Sequence, residues 1–194
     1  MTKYNNKSAL LYNYTIADKN DTILKKSRLK KCNSYVANFI SLLRNAFYNY
    51  SFAWWPGTLT KTTDGSVYRP STQNLLVSST TGDITQGLVV GSGDTAVDIE
   101  DYSLETIIAN GTSAGQLQYS AVTFGAPTET STVAKFIVTR TFTNGSGGDV
   151  TIKEIGLIGR GNYDSLLIRD VLTSPETIAH TEKITFNYTL QTSL

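Results

Sequence analysis

The chain has 194 residues, enough for one domain with a proper core plus an appendage. Charged residues make up 17% and the net charge is +1, which excludes a strong overall field for nucleic acid or membrane. A single cysteine, Cys32, excludes an internal disulfide, and no run of about 18 apolar residues is present to cross a bilayer as a helix.

Ser and Thr fill about a quarter of the chain, in place of the usual charged residues. Thr fits a pleated, half-buried surface, so the composition leans towards β structure. Residues 1 to about 32 read as a polar arm without the continuous apolar stretch of a signal peptide. The arm ends in the basic run Lys25, Lys26, Arg28, Lys30 and Lys31. Such a run is a solvated arm or a contact for an acidic partner surface; its poor interleaving with aromatics counts against nucleic acid.

A helix is expected over 34–50, with Asn33 or Ser34 as its cap. Val36, Phe39, Ile40, Leu43 and Phe47 recur at helical spacing on one face, opposite Asn38, Ser41, Arg44, Asn45 and Asn49. That face packs on the chain's own sheets or lies in a groove of a neighbouring subunit. Residues 51–71 form a junction in which Trp54-Trp55-Pro56-Gly57 breaks the helix, and the two Trp side chains need apolar cover.

From residue 72 short β runs alternate with turn residues. The expected strands are 74–79, 84–90, 116–124, 134–143, 150–158, 166–172 and 183–192. In the last, Ile184, Phe186, Tyr188 and Leu190 alternate with polar residues, giving one buried and one wet face. A phase change near Glu154 predicts a bulge. Asn144–Asp149 reads as a six-residue hairpin connection, and Asp101 as the cap of a short helix over 102–109. About seven strands with frequent turns predict an antiparallel β-sandwich over 72–194, preceded by an arm and one amphipathic helix over 1–50.

Catalytic chemistry finds little footing. His180 is the only histidine; a triad would draw on Asp164 or Asp170 and a serine, but its setting reads as an exposed connection. One His and one Cys do not make a zinc site. Asp94, Asp98, Glu100, Asp101 and Glu105 lack the spacing of a calcium loop and read as a solvated turn and helix start. Gly91-Ser-Gly93 lacks the rest of a phosphate-binding fingerprint and reads as a turn. Glu100 with Glu105, or Asp164 with Asp170, are the carboxylate pairs a glycosidase would need, but nothing fixes their separation. Glu154 and Arg169, and Arg140 and Lys153, read as charges on neighbouring strands, each pairing worth about 0.2–1 kcal/mol. The expectation is a protein with no enzymatic activity, cofactor or metal.

Three blocks carry a family resemblance. They are Gln86–Val97 with Asp101–Thr106 and Gly115–Tyr119, then Arg140–Leu157, then Leu167–Leu172 with Lys183–Leu190. Together they resemble uncharacterised structural proteins of tailed bacteriophage virions, over residues 86–192. The resemblance implies a capsid-decoration, neck, tail or fibre-base component, assembled in the host cytoplasm into the virion, as a homo-oligomer in contact with other virion proteins. The basic run, the helix face and the Trp pair are then the expected assembly interface. A carbohydrate- or receptor-binding module on a tail fibre is the alternative, with Tyr102, Tyr119, Tyr163, Trp54 and Trp55 as an aromatic platform.

Overall fold

The computed structural model describes residues 7–32, 35–48, 60–68, 75–161 and 163–193. Trp54, Trp55 and the expected cap residues Asn33 and Ser34 lie outside these, as does the side chain of Phe47.

The fold is an antiparallel β-sandwich with one short helix. Its larger sheet begins with β1 (Lys7–Ala17), followed by the short edge strands β2 (Ile23–Lys26) and β3 (Lys30–Lys31). After α1 (Ala37–Tyr48) comes a two-stranded hairpin, β4 (Thr60–Lys61) and β5 (Val67–Tyr68). Next are β6 (Gly87–Gly91), the short β7 (Gln118–Tyr119), β8 (Thr123–Phe124) and β9 (Thr128–Glu129), then four long strands. These are β10 (Val133–Thr143), β11 (Val150–Arg160), β12 (Asp164–Ile178) and β13 (Lys183–Ser193). The large sheet runs β2-β1-β13-β10-β7, with β3 beside β1 and β8 and β9 beside β10; the small sheet runs β12-β11-β6.

The inner face of the large sheet follows from period-two alternation. Across β1 and β13, Leu10, Tyr12, Tyr14 and Ile16 stand opposite Leu190, Tyr188, Phe186 and Ile184. An aromatic layer results: Tyr14 packs on Phe186 at 5.5 Å, Phe186 on Phe142 at 6.1 Å, and Phe142 edge-on against Tyr119 at 4.7 Å. Three tyrosine hydroxyls reach across the sandwich. Tyr188 donates to Asp170 at 2.7 Å, Tyr14 donates to Glu176, and Tyr119 donates to the Ile108 carbonyl at 2.6 Å. The outer face of β10 and β13 is mostly polar, and at its centre Thr139 bonds Asn187 and Thr141 bonds Thr185, both at 2.8 Å.

The bulge expected near Glu154 is present, as a register shift against β12 between Ile152 and Glu154. Other expectations are corrected. Residues 7–17 belong to no arm: β1 pairs β13 along its whole length, because its alternation matches that of β13. Asn144–Asp149 is no hairpin, since β10 lies in the large sheet and β11 in the small one. The loop crosses between sheets beside the 179–182 connection. Buried Asn144 holds both: its amide donates to Gly148 and Ile178 carbonyls at 2.8 and 2.7 Å, and its own carbonyl accepts Thr181 N–H. No helix forms over 102–109; Ile107 instead bridges to Gly91 and Thr106 lies along the outer edge of β6. Of the expected strand at 74–79, the described residues 75–79 form one bridge, Leu76 to Arg160.

The helix is also rotated from its expected face. Asn38, Ser41 and Leu42 are buried, Phe39 and Leu43 are half-buried, and Ile40 is 59% exposed. Asn38 decides the phase. Its side-chain amide donates to the Lys61 carbonyl at 2.8 Å and accepts Lys61 N–H at 3.1 Å, so a polar residue must face inward.

Candidate assembly surface

The basic run lies on the outer edge of the large sheet. Asp18 shapes the turn into it, accepting the N–H groups of Asn20 and Thr22 at 2.8 and 2.9 Å. Those bonds, the one from Thr22 foremost, hold the Asp18 carboxyl below the usual range. β2 then pairs antiparallel with β1, with an irregularity between Ile16 and Ala17. Ser27 ties the return: its N–H donates to the Tyr14 carbonyl at 2.9 Å, and its hydroxyl accepts Tyr14 N–H at 2.9 Å.

The five cations divide into two sets. Lys25 and Lys30 serve their own chain. Lys25 Nζ meets the buried Glu176 carboxylate at 2.6 Å, and Lys30 Nζ sits 5.6 Å from the Tyr14 ring centre and 5.9 Å from that of Tyr12. Lys26, Arg28 and Lys31 are exposed and have no carboxylate partner among the described residues. Between them the chain exposes large apolar side chains: Ile23 is 61%, Leu24 53% and Leu29 54% exposed. Their exposure is not legible in the sequence, where five cations in seven residues mark the segment as a charge run. Among the described residues nothing pairs with the outer side of β2. An open backbone edge with apolar and cationic side chains can take up an extended acidic segment or a complementary surface.

The other expected interface residues that the structure describes belong to the segment 36–43, most of them turned into their own chain. Val36 is fully buried, and its N–H donates to the Leu167 carbonyl of β12 at 3.1 Å. Phe39 stacks on Tyr35 at 4.2 Å and packs on the core, Leu42 is part of that core, and Leu43 is half-buried. The helix therefore spends its apolar face internally and leaves only Ile40 outward among those described.

Two of the acidic residues singled out for chemistry, Asp101 and the exposed Glu105, join buried Glu154 around the buried Arg169. Arg169 Nε donates to Glu154 at 2.9 Å, Nη1 to Asp101 at 2.8 Å, and Nη2 lies 3.8 Å from Glu105. Burial opposes the charge on Arg169, but the bonds to Asp101 and Glu154 raise its pKa above the ordinary arginine value. Glu154 is fully buried and also accepts the N–H groups of Gly93, Glu105 and Thr106. Gly91-Ser-Gly93 thus has a definite use. A Cβ at Gly91 or Gly93 would come within 2.5 or 2.6 Å of Glu154 Oε1, so these glycines make room for a carboxylate. Asp101 caps no helix, and Asp98 with Asp101 closes a turn at 98–101 through Asp98 N–H to Asp101 at 2.9 Å.

Arg140 makes no cross-strand ion pair. Fully buried, it donates to the carbonyls of Ser120, Gln86, Leu88, Thr80 and Asp83, and its guanidinium lies 4.9 Å from the Tyr119 ring centre. Lys153 pairs instead with Asp94 at 2.7 Å.

His180 is exposed, and its Nδ1 accepts Gly147 N–H at 3.1 Å, while Asp164 pairs with Arg160 and Asp170 accepts the Tyr188 hydroxyl. No nucleophile–base–acid line is assembled from them. Of the aromatic platform, Tyr119 is buried in the core, whereas Tyr102 and Tyr163 are exposed. Comparison with family models, curated proteins and solved structures finds no match for the chain.

Proposed function

We propose that the chain is a non-enzymatic structural subunit of a tailed-phage virion, acting by packing against copies of itself and other virion proteins. The observation that carries this reading is the open edge at β2 and β3, where Ile23, Leu24 and Leu29 stand exposed among Lys26, Arg28 and Lys31. Large apolar side chains exposed together at a sheet edge mark a contact surface. The resemblance of residues 86–192 to virion proteins points to the same kind of role. Several carboxylates that suggested chemistry have scaffold partners: Asp101 pairs with Arg169, Asp164 with Arg160, Asp94 with Lys153, and Asp170 accepts the Tyr188 hydroxyl.

The test is incorporation. Purified particles from an infected host should contain the chain in stoichiometric amount by mass spectrometry. The variant I23D/L24D should keep its melting temperature and be depleted from particles. A chain that is absent from particles and strictly monomeric in solution refutes the reading.

One observation favours the fibre-module alternative. Tyr163 and Asp164 line a polar groove of about 390 Å³ with Asp64 and Arg160, and Tyr163 packs on Tyr68 at 4.6 Å. An exposed ring beside carboxylates is what a sugar face and its hydroxyls require. Saturable binding on a glycan array that Tyr163→Ala abolishes would favour this role over packing alone.

A further inference from the structure

The near-zero net charge conceals a segregation. Residues 1–62 hold ten of the seventeen Lys and Arg residues and two of the sixteen Asp and Glu residues; the rest of the chain holds seven and fourteen. The basic excess surfaces at the β2–β3 edge. The acidic excess surfaces at the 98–101 turn, where Asp98 and Glu100 flank Ile99, itself 66% exposed.

Both features are held rigidly by their own chain. The Ile99 carbonyl accepts Ala37 N–H at 2.9 Å, Glu100 N–H donates to Asp98 at 2.8 Å, and Asp101 is pinned by Arg169. Neither acid is neutralised by a close partner: Glu100 meets Lys61 only at 3.9 Å, and Asp98 has no cationic partner among the described residues. Cations predominate around Ile23, Leu24 and Leu29, beside Asp21 in its pair with Lys183, and acids predominate around Ile99, beside Lys61.

The two do not meet within one chain: no ion pair or hydrogen bond joins them among the described residues. The turn is anchored to Arg169 and the edge to Glu176, which face Gly156 and Ile152 of β11, four residues or about 13 Å apart at ~3.3 Å per residue. We infer that the basic β2–β3 edge of one copy docks on the acidic 98–101 turn of a second copy. Apolar contact is made by Ile23, Leu24 and Leu29 with Ile99, and Lys26, Arg28 and Lys31 face Asp98 and Glu100. Each contact uses the edge of one copy and the turn of another, so repetition in one direction builds a ring or a filament, and reciprocal pairing would close a two-fold dimer. This rests on the subunit reading above and specifies its interface.

Charge swapping of the full-length chain tests it, with mass in solution read by light scattering and fold by circular dichroism. Wild type should self-associate, and a tenfold rise in ionic strength should weaken association about tenfold, as expected for a few exposed charge pairs. The variants K26E/R28E/K31E and D98K/E100K should each be monomeric. An equimolar mixture of the two should associate again, as should one chain carrying all five changes. The neutral variant K26Q/R28Q/K31Q, which removes charge without adding acids beside Lys25 and Lys30, should associate weakly at any ionic strength. Unchanged assembly in the reversed variants, or no rescue on mixing, overturns the head-to-tail contact. If such variants nevertheless enter particles, the subunit reading stands and only this interface falls. A wild-type chain that stays monomeric at every ionic strength, or binds only an acidic polymer such as heparin, also overturns it.

Discussion

At the scale of single residues, the Glu154–Arg169 pair shows how burial changes what a charge does. The sequence placed the two on neighbouring strands, and they pair there, with Gly156 opposite Arg169 and Glu154 opposite Val171 across the bulge. A surface pairing would contribute a few tenths of a kcal/mol, but this pair is sealed from water and its removal is costly. Arg169→Met should cost about 3–5 kcal/mol in urea denaturation, because a buried carboxylate is left without its cation. Gly91→Ala should cost about 1–3 kcal/mol, since its Cβ meets both Glu154 Oε1 and the Thr106 backbone carbonyl, which lies 2.6 Å away. A neutral outcome for Gly91→Ala would mean that the glycine is not the space-maker for the carboxylate.

At the scale of elements, legibility tracked how locally each element is determined. The 183–192 strand and the bulge could be read because alternation, and a break in it, is written in consecutive residues. β1 alternates as cleanly through Leu10, Tyr12, Tyr14 and Ile16, but its tyrosines and asparagines resemble a polar leader until β13 supplies their cover. The helix phase depended on a distant partner, the Lys61 backbone, which no local spacing announces. Residues 102–109 carry helix-compatible spacing, yet their acids and backbone are drawn to Arg169, Glu154 and β6. At the candidate site, the cations were legible as a run; that Lys25 and Lys30 turn inward, and that Ile99 stands out, depended on tertiary contacts. The β4–β5 hairpin gives a test at this scale. Two-stranded hairpins are marginal alone, and this one hangs on Asn38, on Thr63 N–H to Asp164, and on Tyr68 with Ser165 at 3.0 Å. Asn38→Ala should therefore accelerate amide exchange at Lys61 and Thr62 while the long strands keep their protection, with about 1 kcal/mol lost overall. Equal acceleration in β10 and β13 would show that the hairpin is part of the global unit instead.

At the scale of the whole molecule, the tyrosine hydroxyls that bridge the sheets set its response to pH. Burial foremost, then the nearby Asp170, pushes the Tyr12 phenol up to about 12, and burial also raises Tyr14, Tyr119 and Tyr188. A phenol whose pKa is higher in the folded state favours folding in full below its unfolded value of about 10, and the contribution is lost as pH rises through the folded value. Carboxylates act at the other end. Asp18, Asp64, Asp94 and Glu105 are held below their usual range, chiefly by hydrogen bonds, so their contribution is complete above about pH 4 and fades as pH falls through the folded values. The acidic effect is small, because all four lie at the exposed surface where water screens them. The alkaline effect is large, because ionising Tyr14 or Tyr188 places a phenolate against the carboxylate of Glu176 or Asp170 between the sheets. Melting temperature should therefore be flat from about pH 5 to about pH 9, decline gently below it, and collapse between about pH 10 and 12. Beyond the share of the exposed Tyr102 and Tyr163, tyrosinate absorbance should rise in the same narrow interval in which the strand signal in circular dichroism disappears, since the buried hydroxyls ionise only when the sheets part. Tyrosinate forming in full while the sheets stay intact would show that the hydroxyls do not pin the sandwich.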